Sequence, residues 1–263
     1  MNNSITYHKW NKKENKIYLN SCKKYLNLKD LQVYFPILSL YFYYHNTKNA
    51  NKMIDLERRY KVLEILKCDD YKYYNSNKLC ISKIYDNITN DTYNKEIFCK
   101  CIHILDPIHA MMNNYKLKSS FLPNNYVYNS QNKINNMNNC AYIDIFFSYL
   151  MSELVIKNVL PHFPIYYGSI NGIIDDYNFD VSDEYPEFIN EKWFHKNIGD
   201  IFTIDMFVSS ESDESDSESD IESCSIDDDF ICKLKDFPVQ YMFLEKLEGT
   251  LEDFLIGDIN PQF

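Results

Sequence analysis

The chain has 263 residues, 45% apolar, 16% aromatic and 25% charged, which suits one or two domains with a sizeable core and excludes a wholly disordered chain, a collagen or a disulfide miniprotein. Its net charge of −11, from 38 acidic and 27 basic residues, argues against a general nucleic-acid binder. The deficit is local: ten carboxylates fall within residues 211–229, and the rest of the chain is close to neutral.

Arg58 and Arg59 are the only arginines, so 25 of the 27 basic residues are lysine, and glycine numbers just 5. Abundant Asn, Ile, Lys and Tyr share A/T-rich codons, so Asn-rich runs such as 135–139 carry compositional meaning only. A glycine kept in this background counts for more in backbone geometry. The eight cysteines contain no CxxC pair and no zinc spacing, so reduced thiols in a cytosolic compartment are expected. The amino terminus has no apolar segment of secretory type. Residues 31–45 are interrupted by Pro36, and residues 141–160 contain Asp144, Glu153 and Lys157. Neither reaches the roughly 20 apolar residues of a membrane span, and no membrane partner is expected.

In chain order, residues 1–67 read as a helical extension. Residues 53–67 place Ile54, Leu56, Tyr60, Leu63 and Leu66 at roughly helical spacing, with Tyr34, Phe35, Leu38, Tyr41 and Phe42 in a neighbouring segment. From Tyr71 onward the texture is that of strands. Residues 79–85 and 96–105 alternate apolar with polar positions around a turn-forming stretch at 87–94, which predicts a hairpin ended by Asp106 and Pro107. Residues 108–139 read as an irregular insertion. Residues 141–158 predict a helix apolar around its circumference, with a stripe of Tyr142, Phe146, Leu150 and Leu154 widened by Ile143, Phe147 and Met151. Such a helix is expected to be buried on more than one side, and Glu153 within it calls for a partner. Residues 163–174 read as strand, turn around Gly168 and Gly172, and second strand. Residues 239–246 predict a buried strand, and Thr250 caps a short helix after it.

A hairpin, a strand bearing Lys100, a helix bearing Glu153, two strands and a strand-turn-helix resemble, in that order, the small lobe of a protein kinase. FLEKLEGTLEDFL (243–255) looks like the kinase hinge. Residues 138–174 and IFCKCIHILDPI (97–108) look like the divergent serine/threonine kinase-like proteins of giant DNA viruses of the mimivirus type, a source the A/T-rich composition suits. The resemblance covers roughly residues 70–263 and only the amino-terminal half of a kinase. It implies an α+β fold: an antiparallel sheet plus a long helix over 68–263, a helical extension over 1–67, and insertions at 108–139 and 175–236. It also implies ATP as cofactor, with Lys100 on the phosphates, Glu153 as its ion-pair partner, Leu244 as gatekeeper, and backbone groups of Glu245 and Leu247 on the adenine edge.

Departures from the family are as plain. Residues 74–85 contain no glycine, although close backbone approach to phosphate favours it. No HRD-type loop and no DFG occur; Asp236-Phe237-Pro238 precedes the hinge-like stretch and has proline in place of glycine. Without the catalytic aspartate and the magnesium ligands, no residue is assigned a catalytic role. His103, His109 and His162 lack a nucleophile partner or a second metal ligand at helical spacing and read as structural. The acidic block at 209–229 alternates serine with carboxylates, which predicts disorder, suits acidophilic kinases and could engage basic partners. Three readings follow: a degenerate kinase-like module with a binding or regulatory role, the small-lobe half of a split kinase completed by a separately encoded large lobe, or a virion interaction protein using the acidic block. The implied location is host cytoplasm (the viral factory) or the virion.

Overall fold

Strand formation from residue 60 onward follows from β-branched and aromatic side chains punctuated by Asn and Asp turns. A computed structural model describes residues 7–8, 12–33, 55–70, 76–115, 133–207 and 229–249. The strands are β1 (Tyr7–His8), β2 (Leu28–Gln32), β3 (Asp55–Leu56), β4 (Tyr60–Asp70), β5 (Lys78–Asp86), β6 (Thr92–His103), β7 (Tyr166–Asp180), β8 (Phe202–Phe207) and β9 (Asp229–Glu245). The helices are α1 (Lys12–Tyr25), α2 (Pro107–Met111), α3 (Cys140–Ile156), α4 (Tyr185–Phe188) and α5 (Lys192–Asn197). Seven strands make one curled antiparallel sheet in the order β2-β7-β9-β6-β5-β4, with β8 added alongside β9, and β1 pairs with β3 apart from it. The molecule is α+β.

The expected hairpin is present: β5 and β6 pair from Lys78↔Cys99 to Tyr85↔Thr92, and Asn90 takes positive φ in the turn. The predicted strand over 239–246 forms the last part of β9, which pairs with both β6 and β7, and Val239 to Leu244 are buried on both faces. The helix predicted over 141–158 is α3.

Four expectations are corrected. Within the extension read as helical over 1–67, residues 28–32, 55–56 and 60–67 are strand, and β4 runs through residue 67 without a break. Two register shifts in β4, between Val62 and Glu64 and between Ile65 and Lys67, make Val62, Ile65 and Cys68 fall three apart. Bulged strand and helix thus give nearly the same apolar spacing. Residues 163–174 hold no turn: β7 continues to Asp180, and the irregularity is a single register shift between Tyr166 and Gly168. The stretch 175–236 carries the end of β7, α4, α5, β8 and the start of β9. Cys68 and Cys80 form a disulfide, against the expectation of thiols throughout. The segment around Tyr34 to Phe42, most of the acidic block and the helix after Thr250 lie outside the described residues.

Helix α1 covers the inner face and outer edge of the sheet. Ser21 Oγ accepts the Ile65 N–H (3.0 Å), so an edge amide of β4 is satisfied by a helix side chain. Tyr18 meets Phe243 edge-on with ring centroids 6.4 Å apart, and Cys22 and Leu26 are fully buried. The turn end of the sheet is tied by Asp86, which takes both Nε (3.1 Å) and Nη2 (2.9 Å) of Arg59 on one oxygen and the Ile88 N–H (2.9 Å) on the other. The Arg59 guanidinium, more than burial can oppose, holds the Asp86 carboxyl below the ordinary aspartate value. A depressed folded-state pKa stabilises above the unfolded value of about 3.9, and that contribution disappears as pH falls through the folded value. Acid titration followed by near-UV circular dichroism should therefore show a transition below about pH 4 that is blunted in Asp86→Asn.

Candidate functional site

Period-two alternation puts Phe98, Lys100 and Ile102 on the outer face of β6, while Ile97, Cys99 and Cys101 face α1 and are buried. Cross-strand partners share a face, so the register defines the surroundings of Lys100. In its own row stand Met242 on β9 and Ser169 on β7. One row toward the carboxyl end of β9, Leu79, Phe98, Leu244 and Tyr166 line up across β5, β6, β9 and β7. Leu244 and Tyr166 are buried, Leu79 and Phe98 are half-buried, and neighbouring Ile81 is 41% exposed. On the opposite side of Lys100, Gln240, Asn171 and Gln32 form a buried row of carboxamides across β9, β7 and β2. The ammonium therefore stands between an apolar shelf and a polar floor.

Helix α3 crosses this outer face. Its N-cap, Asn139, accepts the Ala141 N–H (3.1 Å) and donates to the carbonyls of Ile104 (2.8 Å) and Lys133 (3.1 Å), fixing the helix start to the end of β6. Near its other end Ser152 Oγ accepts the Tyr166 N–H (2.9 Å). Between these anchors the Lys100 ammonium donates to Asp144 Oδ2 at 2.7 Å, with the two side chains 42% and 34% exposed. The Lys100–Glu153 pair is corrected: Glu153 meets Lys157 instead, at 3.7 Å. Asp144 and Glu153 are nine positions apart, about two and a half turns, so one helix cannot present both to the same strand. Sequence reasoning missed Asp144 because it counted only as a charge against a membrane span. Helical geometry would have raised it as the alternative to Glu153.

The expected burial of α3 on several sides is also corrected. Ile143, Phe147 and Leu150, spaced four and three apart, are 47%, 48% and 41% exposed, while Ala141, Tyr142, Ile145 and Ser152 face inward. A helix apolar all round has no amphipathic preference, and its inward face is chosen here by Asp144 and Ser152.

At the end of β9, Leu244 lies in the apolar row between Phe98 and Tyr166. Glu245 donates its N–H to the Ile165 carbonyl (2.8 Å), and its carboxylate holds Lys95 (2.8 Å) and the Ile165 N–H (3.3 Å). Burial would push the Lys95 ammonium down, but Glu245 and the Tyr167 hydroxyl outweigh it and hold the group above the ordinary lysine value. Leu247 is 60% exposed beyond the strand.

Ser76 and Asn77, the described residues immediately before β5, are bonded to the neighbouring strands. Asn77 Oδ1 accepts the Cys101 N–H (2.7 Å), Ser76 O accepts the Tyr241 hydroxyl (2.6 Å), and Ser76 Oγ accepts the Asn178 N–H (3.2 Å). These three bonds clasp the start of β5 to β6, β9 and β7, and none of them aims a backbone amide at Lys100.

Among the described residues, no group of three His, Cys, Asp or Glu side chains is placed to hold a metal ion, and no helix is long and apolar enough to cross a membrane. No family model, curated protein or solved structure matches the chain.

Proposed function

We propose that this chain is a catalytically incomplete, protein-kinase-like small lobe that acts as a binding or regulatory module in a giant-virus setting, with an adenine nucleotide as the ligand of its outer face. The observation that carries the reading is the pairing of the hinge-like strand β9 with the lysine strand β6, together with a carboxylate from the helix between β6 and β7 on the Lys100 ammonium. A nucleotide needs a flat apolar surface and a directed cation within one ligand's length. The Leu79–Phe98–Leu244 row and Lys100 supply that combination. The inverted position of the carboxylate, Asp144 in place of Glu153, and the clasped Ser76–Asn77 stretch leave little to cradle a triphosphate. They favour binding over transfer. With no HRD-type loop and no DFG, a general base and magnesium ligands are missing from the sequence given.

The test is acylation of lysines on the full chain, read by peptide mass mapping with and without ATP and magnesium. ATP at millimolar concentration is expected to slow modification of Lys100 while leaving Lys12 and Lys13 unchanged. Unaltered Lys100 labelling sinks the nucleotide reading. In the absence of nucleotide, Asp144→Asn should raise Lys100 reactivity about twofold to fivefold, the range of a part-exposed ion pair, and Glu153→Gln should not.

A further inference from the structure

The register sets Cys68 of β4 directly opposite Cys80 of β5, and the two sulfurs are bonded. Beyond them only two pairs remain, Asp69↔Leu79 and Asp70↔Lys78, before the connection between the strands. Immediately upstream of that end lies the clasp, in which Asn77 holds the Cys101 N–H and Ser76 holds Tyr241 and Asn178. The disulfide therefore fastens the piece of β5 whose neighbouring residues lock the backbone next to Lys100. Its two sulfurs differ in access: Cys80 is fully buried, whereas Cys68 is half-buried on the last strand of the sheet path. Cys140 is exposed on α3, and the other four free cysteines among the described residues, Cys22, Cys99, Cys101 and Cys232, are buried, with desolvation raising the pKa of each. These four are poor thiolates and poor competitors for exchange.

We infer that Cys68–Cys80 is a reversible thiol–disulfide exchange site for a low-molecular-weight thiol, entered at Cys68, and that its state sets how firmly the Ser76–Asn77 clasp holds β5 beside Lys100. The inference concerns the clasp and holds whether or not a nucleotide binds. In the first step the thiolate of the small thiol attacks Cys68 Sγ. The Cys68–Cys80 bond breaks, and its electron pair leaves on Cys80 Sγ, which is protonated as the freed strand end admits water. A second small thiolate attacks the small-molecule sulfur of the mixed disulfide. Cys68 departs as thiolate and is protonated, and a small symmetric disulfide is released. Two electrons pass from two small thiols to the protein, and the same steps in reverse, with a small disulfide as oxidant, close the bond. Once the bond is open, no covalent tie holds the last two pairs, and strand ends open locally more often than interiors.

The experiment uses the full chain in glutathione buffers of varied redox ratio, with denaturing alkylation, peptide mapping and amide hydrogen exchange. Without reductant, Cys68 and Cys80 should resist alkylation together. Reduction should speed exchange of the Cys101 amide about tenfold while leaving the Glu245 amide, bonded to the Ile165 carbonyl at the other end of the β6–β9 ladder, unchanged. At intermediate ratios the mixed disulfide should map to Cys68. Cys80→Ser should trap the small thiol on Cys68, and Cys68→Ser should carry none at Cys80. Alkylation of both cysteines without reductant, a mixed disulfide on Cys80, or a Cys101 amide indifferent to reduction would each overturn the proposal. The wild-type measurements decide the matter even where a variant fails to fold.

Discussion

Replacing Phe243 by alanine is expected to lower the free energy of unfolding by about 3–5 kcal/mol, the range for an aromatic side chain removed from a closed core. Phe243 is fully buried on the inner face of β9, in register with Cys99 on β6 and Gly168 on β7, and α1 covers it through the edge-on ring of Tyr18. No side chain on Gly168 can move in to fill the space its ring would leave. Urea denaturation followed by tyrosine fluorescence measures the change as a shifted midpoint at constant slope. Phe243→Leu, which keeps most of the volume, should lose well under half as much. The pair also tests what α1 is. If α1 is part of this core, Tyr18→Ala and Phe243→Ala are non-additive, because each removes the other's partner. A loss below about 1 kcal/mol for Phe243→Ala would show that the inner face is loosely packed and α1 only leans on it.

Much of the sheet could be read from residues alone because alternation there is clean. Residues 79–85 and 96–103 change face at every position, and the Asn- and Asp-rich link between them can only turn. Alternation fails as a guide where the backbone breaks it. The bulges of β4 shift Val62, Ile65 and Cys68 to a spacing of three, and the period that results belongs equally to a helix. Length could have decided between them only with knowledge of the partner strand. α1 falls within the stretch read as helical, but its role depends on an edge amide of Ile65 that no sequence pattern marks.

For the candidate site, the strand position of Lys100 and its meeting with α3 were readable, since an ammonium on an otherwise apolar strand must find an anion or water. Which anion was not. α3 is apolar on all sides, so its rotation about its own axis is fixed by polar contacts, at Asn139, Tyr142, Asp144, Tyr149 and Ser152, rather than by a hydrophobic stripe. A resemblance assigns the carboxylate by its place in a family, whereas the helix assigns it by angle, and about 180° separates Asp144 from Glu153. The disulfide escaped for a related reason. Cysteine spacing in sequence carries no information on register, and the pairing of Cys68 with Cys80 is a register fact.

Gly168→Ala is the second large loss expected, about 2–4 kcal/mol, from two causes that can be separated. Gly168 has φ +138°, a conformation an L side chain rarely adopts. A Cβ there would also run into the guanidinium of Arg58. That arginine cannot readily withdraw: it is 8% exposed, its Nε donates to Tyr167 O and its Nη1 to Leu56 O, each at 2.9 Å, and it lies over the Tyr166 ring. Backbone strain would persist whatever stands at position 58, whereas the collision would vanish with the guanidinium. The double variant Gly168→Ala, Arg58→Ala should therefore cost less than the sum of the two single changes, by the collision share of about 1–2 kcal/mol. Gly172→Ala is the control. Its φ is not in that region and its Cβ would stand 3.1 Å from the Leu28 side chain, a contact that needs Leu28 to give by a few tenths of an ångström but carries no backbone strain. Equal losses at the two glycines, or strict additivity of Gly168→Ala with Arg58→Ala, would mean that Arg58 is not what reserves position 168 for glycine.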